Sequence, residues 1–275
     1  MKKVFILILL GLAACTSSEE KKANLLISEA ESHISEQRYE QALTLLDSLN
    51  KSFPTAVKAR RQAFDLIRQV RLLQSRRDSL FLAPMIDSLL IREAKALELF
   101  EVIKSEEIEG HSITRYKDYN PAESQPQSSF LDVYFNNEGL LEIVAGTSGA
   151  PAPESMSVTI KDKASDTFVT SDTIPYDGGT NYRYDIDGRK YERLTFTHAN
   201  AEELAAFVFN MGGTSKLQVE INGAKEKKRT FDLPTPAIRA IQASYELHRI
   251  KTEIQKGKDQ LNRHERRNSL YQKEK

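Results

Sequence analysis

Few side chains in this sequence stand at spacings that suit chemistry. Cys15 is the only cysteine in 275 residues. No internal disulfide can form, and in an exported chain a free thiol is a liability that alkylation removes. The histidines, His33, His111, His198, His248 and His264, are scattered. None forms an H-x-x-x-H or H-E-x-x-H pair, which would set two ligands on one helical face toward zinc, so no metal or other cofactor is expected. "GTSGAP", at 146–151, is the nearest approach to a nucleophile elbow. That motif needs Gly-x-Ser-x-Gly between a strand and a helix, and the prolines here predict a loop instead. "DIDG", at 185–188, opens like a calcium loop, but Arg189, Lys190 and Tyr191 follow, and a hairpin turn is the better expectation. No Walker motif, no dinucleotide-binding glycine pattern and no general acid/base pair is recognisable.

Tyr176, Tyr182, Tyr184 and Tyr191 are the candidate recognition residues. Tyrosine joins an apolar body to a hydroxyl and favours interfaces. Period two puts Tyr182 and Tyr184 on one strand face, and Tyr191 faces them if a hairpin intervenes. Plain cross-strand packing is the competing explanation.

The surroundings of Cys15 give its thiol a purpose. "MKKVFILILLGLAAC" begins with Lys2 and Lys3, continues through apolar Val4 to Leu10, and closes on small Gly11, Ala13 and Ala14. That order is a secretory signal. The stretch is shorter than the roughly 20 apolar residues a spanning helix needs. Leu12-Ala13-Ala14-Cys15 resembles the lipobox of bacterial lipoproteins. The resemblance implies a diacylglycerol thioether on Cys15, cleavage before it, and acylation of the new amino group. Stable anchoring takes two or more acyl chains, so the chemistry suits the task. Thr16 is not Asp, and by resemblance to lipoprotein sorting this implies the outer membrane. Glu19 and Glu20 read as part of a solvated tether or as a surface-export tag.

Lysine plus arginine equal aspartate plus glutamate at 39 each, and setting aside Lys2 and Lys3 of the signal leaves 37 against 39, a net of −2, so overall charge predicts no polyanion partner. The absence of tryptophan disfavours indole-based sugar platforms, whereas ten tyrosines and twelve phenylalanines leave other aromatic surfaces open.

Residues 24–109 read as helix, with apolar side chains at helical spacing and Pro54 and Pro84 as joints between helices. "LLISEAESHISEQRYEQALTLLDSLNKSFP" resembles a single tetratricopeptide hairpin. Ala30 falls at the small position, and Tyr39, Ala42, Leu46, Leu49 and Pro54 match the second-helix pattern. Leu26 and Gln37 depart from the Trp and turn-Gly positions, and no second repeat follows in register. Thr55–Leu82 and Pro84–Lys104 read as an antiparallel pair. One is basic between Lys58 and Arg77, the other acidic between Asp87 and Glu109, and mutual neutralisation explains this better than nucleic-acid binding does.

Residues 110–129 are polar and read as a linker. The period then changes to two. Asn136 to Gly139, Asp187-Gly188 and Asn222-Gly223 lie between alternating runs and predict hairpins in a mainly antiparallel β region over 130–233. One short helix interrupts it, with Asn200 as N-cap and Gly212-Gly213 as its end. Thr235-Pro236 opens a long last helix within 235–275, whose pattern fades past Leu261 into a polar tail.

The sequence thus predicts an α+β chain: signal peptide 1–14, lipidated tether 15–23, helical hairpins forming a stalk, an antiparallel β domain with one short helix, and a C-terminal helix packing back on the stalk. The expected role is a non-enzymatic, membrane-anchored envelope lipoprotein acting as a protein-interaction or scaffold module for an envelope protein partner. The alternative is a glycan- or small-ligand-binding lipoprotein using the β domain, and a more distant one is a hydrolase with an unrecognised site.

Overall fold

The computed structural model describes residues 2–104, 111–121, 129–211, 213 and 216–273, with side chains over 18–270 of these. The chain is mixed α+β and forms two compact units, one of Met1–Asp87 with Gln255–Lys275 and one of Ser88–Ile254. Cys15 lies within the first helix, but its side chain is outside those described.

The first unit is helical. α1 (Lys2–Ser35) and α2 (Tyr39–Ser52) form the expected hairpin. Ala23, Ile27 and Ala30 face Tyr39, Ala42, Leu46 and Leu49, all buried, and alanines 56, 59 and 63 of the following segment complete the cluster. Methyl-sized side chains let the helices approach closely while leucines fill between them. Gln37, in the turn, adopts a positive φ of 59° where glycine would be unstrained. Residues 15–23, expected as a tether, are helical, and Ala23 is fully buried. Glu19 and Glu20 are engaged in the fold. Glu20 accepts the Ala59 backbone N–H at 2.8 Å, and Glu19 accepts the Thr55 hydroxyl. Both carboxylates thereby meet the start of α3 (Val57–Leu97), where N–H groups lack intrahelical partners and the helix dipole favours negative charge.

Pro54 does mark a joint, between α2 and α3, but Pro84 does not. α3 continues through it, so the expected antiparallel pair is one helix. Pro84 is exposed. The carbonyl of Leu80, which its missing N–H leaves free, lies on the same solvent-facing side, where water can satisfy it. The antiparallel partner of α3 is the last helix, α5 (Thr235–Lys273). In the first unit Ser75 Oγ lies 3.0 Å from His264 Nδ1, and Gly257 abuts Ile86. In the second, Leu89 packs with Ile250 and Ile254, and Arg92 pairs with Glu246 at 2.8 Å. The C-terminal helix therefore packs on the N-terminal helices, and it stays helical past Leu261 to Lys273 rather than fading into a tail.

The second unit holds two antiparallel sheets. α3 stops at Leu97, and β1 (Phe100–Lys104) pairs with β2 (Ser112–Tyr116). These strands occupy residues read as helix and linker; β-branched Val102 and Ile103 fit a pleated surface. Most of the remaining linker, 122–128, lies outside the described residues. β3 (Phe130–Phe135), β4 (Leu141–Ser148), β7 (Asn181–Ile186) and β8 (Arg189–Phe196) complete a six-stranded sheet of order β1-β2-β3-β4-β8-β7. β5 (Ser155–Asp162), β6 (Phe168–Thr170), β9 (Leu217–Gly223) and β10 (Lys228–Asp232) form the other, of order β10-β9-β5-β6. Alternate residues of both, among them Leu131, Val133, Ile143, Leu194, Val158 and Val219, bury one shared core with α4 (His198–Met211) and the start of α5.

Three local expectations change. Gly146 to Ser148, read as loop, belong to β4. Asn222-Gly223 is not a turn: Asn222 pairs with Lys228, and the chain reverses through a 3-10 turn at Ala224–Glu226, with positive φ at Lys225 and Glu226. Gly223 serves close approach instead, since a Cβ there would lie 1.8 Å from the Pro153 carbonyl oxygen. Asn200 is not the N-cap of α4, which begins at His198; its amide oxygen accepts the Asp172 N–H at 2.8 Å. Gly212, expected to end that helix, lies outside the described residues.

Candidate functional site

The six-stranded sheet buries one face in the core. On the other, strand alternation gathers Arg115 from β2, Asp132 and Tyr134 from β3, Glu142 from β4, and Tyr191 and Arg193 from β8. They line a cleft of about 650 Å³, and His111 and Tyr184 stand among its walls. Gly146 makes room for the end of the Phe130 ring, because a Cβ there would come within 2.3 Å of it.

Four of the charges in the cleft, those of Arg115, Asp132, Glu142 and Arg193, are answered from within it. Arg115 donates to Asp132 at 2.6 Å, and the other oxygen of Asp132 accepts the Val133 N–H at 2.8 Å. Burial pushes the Asp132 carboxyl above its usual range, and the Arg115 guanidinium opposes that shift. Arg193 donates to the Tyr134 hydroxyl at 2.7 Å. Burial pushes the Tyr134 phenol up to about 12; the Arg193 charge works against this, and Glu142, through its charge and a hydrogen bond, adds to it. Tyr134 therefore keeps its proton at neutral pH, and Asn136 donates to Glu142 at 2.8 Å. The result is two chains of alternating donors and acceptors, Arg115–Asp132 and Arg193–Tyr134–Glu142–Asn136.

Three of the four tyrosines singled out from the sequence meet here. Tyr184 stacks on Tyr191 across the hairpin, with centroids 5.0 Å apart and planes at 5°. Tyr182 stacks on Tyr184 at 5.4 Å. Arg189 lies 5.8 Å from the Tyr191 centroid and donates to Ser148 Oγ at 3.0 Å. Tyr184 thus carries a ring on each face, and Tyr182 and Tyr184 both stay exposed. Tyr176 does not join them. It lies beside Arg183, whose guanidinium is 5.1 Å from its centroid, and Arg183 sits at the strand position facing away from Tyr182 and Tyr184.

The other residues considered for chemistry have local partners. His33 accepts from Arg38 at 2.8 Å, His248 meets Glu202 at 3.0 Å, and His198 meets Thr197. Among the described residues no three His, Cys, Asp or Glu side chains converge on a point that could hold a metal ion. "DIDG" is a turn: Asp187 and Gly188 take positive φ, and Asp185 accepts the Gly188 N–H at 2.8 Å.

Arg115, Asp132, Tyr134, Glu142 and Arg193 were not anticipated. Asp132 carried the available signal, a charged residue inside the apolar run "FLDVYF" at the same period as Phe130 and Tyr134. Among the described residues no helix is long and apolar enough to cross a membrane. No protein-family model matches the chain, and no curated protein or solved structure matches it either.

Proposed function

We propose that this chain is a non-enzymatic lipoprotein of the bacterial cell envelope, acylated at Cys15 and held at the outer membrane, and that the outer face of its six-stranded sheet binds a neutral, polyhydroxylated ligand of the glycan class. The observation that carries the ligand reading is the cleft's internal charge pairing. Arg115 pairs with Asp132 and Arg193 with Glu142 through Tyr134, and Glu192, also in the lining, is taken up by the Glu154 and Ser155 N–H groups and the Ser155 hydroxyl, so little free charge is left to select an ion. The pairs do leave planar donors and acceptors side by side, and a sugar hydroxyl both donates and accepts. A volume of about 650 Å³ falls within the range usual for ligand pockets, roughly 300–1,000 Å³. The same pairing favours binding over catalysis, because Asp132 and Glu142 are already engaged by hydrogen-bond donors.

Calorimetric titration of the purified chain with chito-, malto- and manno-oligosaccharides tests the proposal. Saturable binding to one series, weakened at least tenfold by Arg193→Ala, is the expected result. No saturable binding to any of them removes the glycan reading.

A protein partner is the second reading, favoured by α3. Leu80 and Phe81 are 75% and 72% exposed there, and Met85 follows one turn on, also exposed. Monomeric proteins seldom leave contiguous large apolar side chains to water without a use for them.

A further inference from the structure

Resting on the reading that Cys15 is acylated, we propose that the anchored end of the helical unit is itself a membrane-contact surface that seats on anionic phospholipid headgroups. The geometry begins with Glu19 and Glu20. Their hydrogen bonds to Thr55 and to the Ala59 N–H fasten α1 to the start of α3 only four and five residues past Cys15. α1 is helical throughout that interval. At about 1.5 Å per residue, roughly 6 Å of helix separates the acylation point from the first tertiary contacts. That distance is below the Debye length of about 8 Å at physiological ionic strength. The bundle end is thus held within electrostatic reach of the lipid surface.

The residues brought to that level are basic. Lys21 and Lys22 lie on α1, Lys51 in the last turn of α2, and Lys58 and Arg61 in the first turns of α3, all exposed. Among the described residues none of the five forms an ion pair. Arg60 folds over the α2–α3 turn, donating to the Pro54 carbonyl at 3.0 Å. The acidic side chains nearby are Glu19 and Glu20, both occupied at the start of α3, Asp47, one turn before Lys51, Asp65, one turn after Arg61, and Glu31, which accepts from Gln62 at 3.4 Å. Val57, 71% exposed, adds an apolar side chain to the same end. Acyl chains with a basic patch are two mutually reinforcing membrane signals, and each basic residue near an anionic surface strengthens association about fivefold.

The test uses the acylated protein purified from membranes and reconstituted into vesicles of phosphatidylcholine alone or with phosphatidylglycerol. Lysine reactivity toward an acetylating reagent is read residue by residue by mass spectrometry. At least fivefold protection of Lys21, Lys22, Lys51 and Lys58 is expected on phosphatidylglycerol vesicles relative to neutral ones, and it should be abolished by molar salt. Equal reactivity on both vesicle types overturns the proposal. Incorporation of labelled palmitate, measured on the same preparation, separates the two readings. Label present with equal lysine reactivity overturns the headgroup contact alone, whereas absence of label overturns the anchor beneath it.

Discussion

The Arg115 guanidinium and the Asp132 carboxylate lie 2.6 Å apart on the outer face of the six-stranded sheet, with side chains only 13% and 8% exposed. An ion pair so withdrawn from water costs desolvation on both partners, and removing one partner leaves the other charged and uncompensated. Arg115→Met should therefore destabilise the fold by about 3–5 kcal/mol at neutral pH. The sign of the pH effect follows from Asp132. Its folded-state carboxyl already titrates above the usual range, so the cost of ionising it is absent at low pH and grows as pH rises through the raised value. The deficit of Arg115→Met should shrink in acid, and Arg115→Met with Asp132→Leu should recover most of it. Denaturant unfolding across pH reads both.

Two glycines should respond differently to the same added methyl group. At Gly223 a Cβ meets the Pro153 backbone carbonyl, whereas at Gly146 it meets only the end of the Phe130 ring, which can swing aside. Gly223→Ala should cost about 1–3 kcal/mol by overpacking. Gly146→Ala should cost less than that while displacing Phe130 from the cleft. Thermal melts give the order, and the ring's NMR shifts give the displacement.

Tyr184 is the middle member of the aromatic stack. Each aromatic contact is worth about 0.5–1.5 kcal/mol beyond area burial, so Tyr184→Ala, losing two, should lower stability by roughly 1–3 kcal/mol and weaken oligosaccharide binding. Tyr176→Ala, outside the stack, should leave binding unchanged within twofold. Calorimetry on both variants checks the contrast.

Asp177 holds its loop by accepting from Gly179 N, Asn181 N and the Thr180 hydroxyl, at 2.9, 2.8 and 2.5 Å. These bonds, led by that of Thr180, pull its carboxyl down to about 2. With the folded value depressed, the contribution is present above the ordinary carboxylate value near 4 and is lost as pH falls through about 2. An NMR titration should find the Asp177 midpoint well below those of other exposed aspartates, and Thr180→Ala should raise it.

Pro84 lies inside α3 without ending it. Restoring an N–H there should close the missing bond to Leu80. Pro84→Ala should stabilise the chain by about 1–3 kcal/mol, measured by guanidinium unfolding.

What could be foreseen from sequence follows the range of the signal. Tyr182, Tyr184 and Tyr191 were legible as neighbours because strand periodicity and the Asp187-Gly188 turn both act within ten residues. Asn136 to Gly139 was legible for the same reason. Arg115 and Asp132 were not: they are 17 residues apart, and Arg115 sits in a stretch whose polarity resembles a linker. The continuation of α3 through Pro84 depends on which side of the helix meets solvent, and the α5 face decides that. Gly223 shows the limit most clearly. Asn-Gly has the chemistry of a hairpin turn, but the Pro153 carbonyl claims the glycine and moves the reversal onward to Ala224–Glu226.

That displaced reversal has a practical use. The strand register is clamped one step inside it, where Gly223 lies against Pro153, so the exposed residues Lys225 and Glu226 bear none of the pairing. Solvent-facing tips of this kind tolerate added chain. An epitope or fluorophore spliced between them would report where the intact protein sits on living cells without unzipping β9 from β10.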